Sequence, residues 1–486
     1  MAKFNAKIDT TPNAISYEGG EVYEKNPAEE WLNFLFSSYL EDGFYESHSI
    51  QCQRFLDLTA NMIVTYGPEF VGKAAMFARK ELGMRSVSQV VAAMLNVVKF
   101  DDKRAFFRNF CNRPDDVSEV FSILDYFNIK RSHALVRGFG DYLSSITPYT
   151  LGKYKLAHKQ YNMYDLINIT HAHSLAIDAY KNGTLESPDT WEVAISTAAN
   201  EEGRSAEWKR LVEEHKLGYM ALIRNLRNIL AADGVDRKWI EDYLCPALTN
   251  PQSIEKSLVF PYQIYSAYKN MGSDNPAVIY ALEQAFMIAL SNMPKLAGDT
   301  LVILDVSGSM TSPISAKSSI TIREVGAVYA MCILLTSENS DIIKFATHAK
   351  KFKFDLNDNL FHQIEKLEAA ENLGYGTELW RAYNCVDRKY DRIMLISDMQ
   401  IMDDTSYWYG GNSATTSYKD YCKQYGRTPI YSFDLGNYHT QTDNPNNPDV
   451  YLCTSLSEEM LRFIALLENG ENIVDYINNN YDYHIV

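Results

Sequence analysis

No two cysteines of this chain stand in a C-x-x-C arrangement. The seven present, at 52, 111, 245, 332, 385, 422 and 453, are scattered and odd in number. That pattern argues against a disulfide framework or a structural zinc site, and for reduced thiols in a cytoplasmic setting. No run of about 18 apolar residues occurs, so no membrane span is expected. The stretch Met1 to Thr10 has lysines but no apolar core, so no secretory signal is expected either. Catalytic signatures are missing too: there is no H-E-x-x-H, no Walker loop, no glycine fingerprint for a dinucleotide and no Gly-x-Ser-x-Gly. His171 and His173, two residues apart, cannot share a helix face. The expectation is therefore a protein that is not an enzyme, with a metal-assisted hydrolase as the weakest of three readings. Positive charge is also scarce, with 46 Lys and Arg against 62 Asp and Glu, a formal net charge of −16.

That acidity is unevenly spread. Residues 72–164 carry 15 Lys and Arg against 8 Asp and Glu, a net +7, which leaves −23 on the remainder. A segregated basic stretch inside an acidic chain is the electrostatic footprint a polyanion needs, although a solvated helix face can carry such charge by chance. The chain has 486 residues, too many for one small core, and its 46% hydrophobic and 22% charged content is that of a globular protein of two or more domains.

Residues 1–27 are polar, with Pro12, Gly19, Gly20 and Pro27, and read as an extended arm. Helical periodicity then runs from Ala28 to about Leu296. Its clearest instance is Val87, Val90, Val91, Met94, Leu95 and Val98, apolar at i, i+3, i+4, i+7, i+8 and i+11. Further helices are expected at 54–66, 68–82, 102–111, 132–145, 164–180, 190–199, 205–231, 236–244, 253–270 and 275–291. Asp116 or Ser118 is expected to cap one more after Pro114. About 270 residues of helices with short breaks suggest stacked pairs in an α-solenoid. At Pro294 to Gly298 the texture changes to alternating strands and helices. Strands are expected at 300–305, 341–346, 350–355, 392–397, 428–434 and 450–453, with helices at 320–337, 358–369, 378–387, 415–425 and 457–468. Such alternation implies a mostly parallel sheet flanked by helices.

The most informative stretch opens that second part. Leu301-Val302-Ile303-Leu304 is a short apolar run that reads as a buried parallel strand, and Asp305-Val306-Ser307-Gly308-Ser309 follows it directly. Loops at the carboxyl ends of strands in an open α/β sheet are where ligands bind. Two further loops on the same edge carry oxygen donors. One is Gly374-Tyr375-Gly376-Thr377, just before a helix; the other is Asp398, which ends the apolar strand Ile393 to Ser397. Asp305, Ser307, Ser309, Thr377 and Asp398 together offer hard oxygen ligands only. That set suits a divalent cation, Mg²⁺ first with Mn²⁺ or Ca²⁺ as alternatives, rather than zinc or copper. Hydroxyl-rich coordination leaves a position for an acidic group from a partner.

In this order the five residues resemble the metal-ion-dependent adhesion site of von Willebrand factor A-type domains, a binding module shared by many unrelated proteins. A long helical half followed by such a domain resembles the Ro 60-kDa autoantigen family, the TROVE-module RNA-binding proteins. One local stretch adds to the resemblance: the basic Tyr154-Lys155-Leu156-Ala157-His158-Lys159, then Tyr161, then Asp165-Leu166-Ile167-Asn168-Ile169-Thr170-His171. The family has an arginine where Asn168 stands, so one phosphate contact is missing or moved.

The resemblance implies a multidomain α plus α/β protein: a 1–27 arm, a HEAT-like helical-repeat ring over 28–296, and a doubly wound α/β A-type domain over 297–486. It implies small structured non-coding RNA of the Y RNA kind on a basic outer face, and single-stranded 3′ ends of misfolded RNA in the ring lumen. A protein partner such as an exoribonuclease, a monomeric state and no membrane association complete the expectation. Carried over by position, Lys153, Lys155, His158, Lys159 and His171 are the candidate RNA contacts. Lys80, Arg85, Arg104 and Arg108, with Arg79, would extend the basic face. Lysines neutralise phosphates, and histidine or tyrosine stacks on exposed bases. The reading from a different class is a protein-interaction adaptor that uses the metal site and binds no RNA.

Overall fold

The structure is a computed structural model that describes residues 11–25, 27–38, 47–154, 156–186, 190–257, 259–291, 293, 295–314, 318–355, 357–403, 412–444, 447, 449–453, 461, 464 and 473–481. Among the described residues nine strands run in chain order: β1 Ala14–Ile15, β2 Glu21–Glu24, β3 Leu296–Asp305, β4 Ser337–Phe345, β5 Ala349–Phe352, β6 Arg392–Ser397, β7 Ile430–Asp434, β8 Thr440–Gln441 and β9 Val450–Cys453. The chain packs as two compact units, one of residues 1–33, 41–51 and 204–465, the other of 34–40, 52–203 and 466–486.

The first unit is built on a six-stranded sheet in the order β5-β4-β3-β6-β7-β9. Every pairing is parallel except β4 with β5, where a tight return puts an antiparallel strand on the edge. Residues 301–305 and all of β6 and β7 are buried on both faces, as parallel strands covered by helices on each side must be. One face holds Leu301, Ile303, Ile343, Phe345, Ile393 and Leu395 against Leu379, Ala382, Tyr383, Ala414 and Tyr418 of two helices, Leu379–Asn384 and Ala414–Tyr425. The helix Ile322–Thr336 packs against β3, β4 and β6, and its Tyr329 ring lies 5.6 Å from Phe433 and 5.3 Å from Phe260.

Helices from before residue 296 belong to this unit as well. Tyr268 of the helix Pro261–Asn270 stacks on Phe361 of the helix Leu360–Glu368 at 4.5 Å, and Lys269 pairs with Glu324 at 3.2 Å. The arm contributes two strands rather than an extended coil: β1 pairs β2, and β2 pairs β8, both antiparallel, in a second small sheet. Strands this short carry no usable periodicity, and β8, which pairs with β2, lies more than 400 residues away, so sequence patterning could not find them.

The second unit is helical. Pro68–Lys80 packs on Ser86–Leu95, that helix on Pro114–Tyr126, and Lys103–Phe110 on His133–Ser145. After the first pair, each helix packs chiefly on the next but one in sequence, as helices that alternate between two stacked layers do. Its core is aromatic: Phe106, Phe107, Phe110, Phe121 and Phe139 are fully buried and meet largely edge to face. The cap after the Pro114 break is Arg113, and Asp116 sits three positions further in, accepting from the Asn112 and Arg113 amides at 3.0 Å each. The helix expected over 164–180 is two, Met163–Thr170 and Leu175–Lys181, because His171 turns left-handed at φ 55° and Ser174 caps a new start. Likewise 205–231 is three helices, Glu201–Glu213, Tyr219–Arg224 and Leu226–Leu230, and 253–270 is two, Pro251–Ser257 and Pro261–Asn270. The apolar period survives each break, so the sequence reads through it. The helix expected over 457–468 lies outside the described residues, apart from Leu461 and Ile464, which are helical and buried. No helix among the described residues is long and apolar enough to cross a membrane.

Candidate functional site

The five predicted oxygen donors converge at the carboxyl ends of β3 and β6. Asp305, Ser307, Ser309, Thr377 and Asp398 are all buried. The geometry follows from short-range chain constraints. Asp305 is the last residue of β3; its Oδ1 accepts from the Ser307 amide at 2.8 Å, which closes the turn, and its Oδ2 accepts from the Ser397 hydroxyl at 2.6 Å. Ser307 Oγ and Ser309 Oγ lie 3.4 Å apart. The Gly308 amide donates to the Tyr375 carbonyl at 2.9 Å, which docks the second loop on the first. That loop needs Gly374: it sits at φ +84°, and a side chain there would meet the Thr347 hydroxyl at 2.5 Å. The third loop is tied to the second by the Met402 amide donating to the Thr377 carbonyl at 2.8 Å. Asp398 Oδ1 accepts from the Gln400 amide at 3.2 Å.

Between them Met399 adopts φ 63°, a left-handed conformation that favours glycine, with its side chain buried in the sheet's core. The strain is held by that packing and by Ser397 Oγ accepting the Met399 amide at 3.0 Å. Ser397, Met399 and Gln400 were missed in the sequence. Only adjacency to Asp398 hints at them, since their roles arise from one tight turn.

Two carboxylates buried this close disfavour ionisation. Burial pushes Asp305 up to about 6, against hydrogen bonds from Ser397 and Ser307 that favour its charged form. Asp398 is held well above the usual carboxylate range by burial first and by the Asp305 charge second. Among the described residues no lysine or arginine pairs with either. A hard divalent ion coordinated by the two carboxylates and three hydroxyls would relieve that repulsion, so the residues present fit such a cation in chemistry. Among the described residues no group of three or more His, Cys, Asp or Glu side chains is arranged to hold a metal. The oxygen set here, with only two carboxylates, is of another kind.

The predicted RNA contacts lie on the second unit and do not form a comparable cluster of free cations. Lys153 ends the helix Pro148–Lys153, 3.6 Å from Glu192, with its ammonium 5.9 Å from the ring centres of both Tyr149 and Tyr154. Lys159 is paired with Glu119, and Arg85 with Asp115. Arg104 makes a two-pronged bond to Asp141 at 2.7 and 2.8 Å. Arg108, Lys80, His158 and His171 are exposed, and Lys155 lies outside the described residues. Arg79 does not belong to any surface. It is 2% exposed, and its guanidinium grips Asp116 at 2.8 and 2.9 Å. Sequence could not tell it from Lys80, because helical period places neighbours one residue apart on different faces.

A helical half joined to an α/β domain with this five-residue site defines a protein with a von Willebrand A-type domain. The family model for the TROVE domain matches residues 169–278, and that for the Ro60 vWA domain matches 300–426. The basic run before residue 169 therefore precedes the matched span. RNA-binding protein RO60 of Deinococcus radiodurans is 24% identical over 234 residues, which is 44% of this chain and 42% of that protein. Telomerase protein component 1 of Rattus norvegicus is 32% identical over 87 residues, 18% of this chain and 3% of that protein. The crystal structure of the Deinococcus radiodurans RO (RSR) protein superposes with a TM-score of 0.62 at 16% identity, over 90% of this chain and 100% of that one. One span of the chain thus matches the TROVE domain, a second matches the Ro60 vWA domain, and the fold is that of the Deinococcus RO protein. Its alignment spans less than half the length of the Deinococcus relative and a small fraction of the telomerase component.

Proposed function

We propose that this chain is a non-enzymatic RNA-binding protein of the cytoplasm. The observation that carries the reading is the pairing of a TROVE span with a Ro60-type A domain in one chain. A Deinococcus radiodurans relative, similar over 44% of this chain, is named for RNA binding. The net +7 over 72–164 inside an acidic protein supplies the electrostatic means. Its ligands are small structured non-coding RNA of the Y RNA kind and the single-stranded ends of misfolded RNA. Lys153, Lys155, His158 and Lys159 contact phosphates, while His171 and exposed tyrosines contact bases. Lys80, Arg85, Arg104 and Arg108 add charge. Gel-shift titration of a hairpin RNA with a single-stranded tail, over a series of salt concentrations, tests this. Lys153→Ala combined with Lys159→Ala is expected to weaken binding and to flatten the log–log salt slope by about 2 for two lost phosphate contacts. Absence of binding at low salt would overturn the proposal.

The second element of the reading is a Mg²⁺ ion, with Mn²⁺ or Ca²⁺ as substitutes, held by Asp305, Ser307, Ser309, Thr377 and Asp398 and open to a carboxylate of a protein partner. The mutual burial of Asp305 and Asp398 supports it. Asp305→Ala is expected to abolish Mg²⁺ binding in calorimetry while leaving RNA affinity unchanged. Retained Mg²⁺ affinity in that variant refutes the site. The same carboxylate pair favours the adaptor reading should RNA binding fail.

A further inference from the structure

The arm is usually the least constrained part of a chain, yet here its described residues grip the loop that carries Asp398. The Ser16 hydroxyl donates to the Ile401 carbonyl at 2.5 Å, and the Gly20 amide donates to the same carbonyl at 3.1 Å. The Tyr17 amide donates to the Gln400 side-chain oxygen at 2.9 Å, and the Glu21 amide to Asp403 Oδ2 at 2.7 Å. Gln400, so held, places its own amide on Asp398 Oδ1 at 3.2 Å. Met402, in the middle of the gripped loop, holds the Thr377 carbonyl at 2.8 Å. Two of the five oxygen donors are therefore fixed through residues that the arm holds.

A second grip lies on the other side of Asp398. Lys25 has a fully buried side chain that donates to Asp434 Oδ2 and to the Tyr438 carbonyl, with Asn33 Nδ2 on the same carboxylate oxygen at 2.9 Å. Asp434 Oδ1 accepts from the Gly436 and Asn437 amides at 2.9 and 3.2 Å, so the carboxylate organises the turn after β7. That turn is packed on Asp398: a Cβ at Gly436 would come within 2.9 Å of the Asp398 Cβ. The pairing of β2 with β8 and the Lys25 amide on the His439 carbonyl at 3.0 Å hold the arm in register between the two grips.

We propose that residues 16–25 are a positioning strap for the cation site, and that Ser16, Tyr17, Gly20 and Lys25 set its affinity by holding the loops after β6 and β7 against Asp398 and Thr377. None of the four touches the cation. They act on ligands through the backbone, as residues behind a metal's direct ligands do when they fix ligand orientation. The proposal rests on the cation reading above. It also makes the arm a control point, since anything that draws the strap away loosens Asp398 and Thr377 together.

The test uses the full chain and Mg²⁺ alone. Gly20→Ala puts a methyl group into the Ile401 carbonyl and should lever the strap off. Ser16→Ala removes one hydrogen bond without steric conflict and serves as the milder variant should the first fail to fold. Ile15→Ala, at a position in β1 just before the strap that is 62% exposed, is the control. Hydrogen exchange is read by mass spectrometry over 399–403 in cation-free protein, and Mg²⁺ affinity by calorimetry. Ser16→Ala and Gly20→Ala are expected to speed exchange in that loop and weaken Mg²⁺ binding by about 10-fold or more, with Ile15→Ala unchanged in both. Faster exchange with unchanged affinity overturns the strap's role, as does unchanged exchange in both variants. A wild-type chain that binds no Mg²⁺ fails the cation reading itself, and the strap's role falls with it.

Discussion

The carboxylate site and the basic stretch differ in how their charges are treated. At the sheet edge, two carboxylates are buried with no basic side chain paired to them among the described residues, and the Ser307 and Ser309 hydroxyls beside them lie 3.4 Å apart. On the helical unit, cations are exposed but most already hold an acid: Lys159 with Glu119, Arg85 with Asp115, Arg104 with Asp141, Lys153 near Glu192. The first arrangement is preorganised and lacks a counter-charge. The second is partly neutralised and must exchange partners to take up phosphate. Affinity at the first should depend on geometry and pH, and at the second on salt.

The largest effect expected from a single change separates structure from surface within the basic stretch. Arg79→Met leaves Asp116 as a buried charge without its cation and should cost the helical unit roughly 3–5 kcal/mol in urea unfolding. A loss no larger than that of an exposed pair, about 0.2–1 kcal/mol, would put Arg79 on the surface with the rest. Next comes the pH response of the sheet edge. Asp305 titrates higher in the folded chain, about 6, than its ordinary value of 3.8. Its native state therefore binds the proton more tightly. The resulting stabilisation is fully present below the ordinary value and is lost as pH rises through about 6. Cation-free protein should lose thermal stability over that window, and added Mg²⁺ should restore it at the upper end. Mg²⁺ affinity should in turn fall on acidification through the same range, and a flat profile would detach the carboxylates from the cation. The smallest effect concerns the pre-paired cations. Glu119→Gln frees Lys159 and should tighten RNA binding a few-fold at low salt, consistent with an exposed pair worth about 0.2–1 kcal/mol, with no change at high salt.

The legibility of the two regions follows from the same contrast. β6 and β9 fall on their expected bounds, and Asp305 and Asp398 lie at the carboxyl ends of β3 and β6, where the apolar runs put them. A buried parallel strand is a continuous apolar run, and its last residue is necessarily at the edge where ligands bind, so few degrees of freedom separate sequence from site. The surface cations had no such anchor. Lysine on an amphipathic helix reads alike whether it is free or paired, and Arg79 and Lys80 differ by a 100° turn that decides burial.

By itself, the order of residues determined the class of each half and the strands of the large sheet with the carboxylates at their ends, because these are set by period and by neighbours a few positions away. Tertiary structure alone decided that His171 breaks a helix, that Arg79 is a buried partner of Asp116, and that the helices from 204 onward share a unit with the sheet. It also decided that a polar arm becomes two strands lying on the Asp398 loop. Each of these depends on contacts across tens to hundreds of residues, where the free energy of a hydrogen bond or a buried charge is fixed by a partner that no local pattern names.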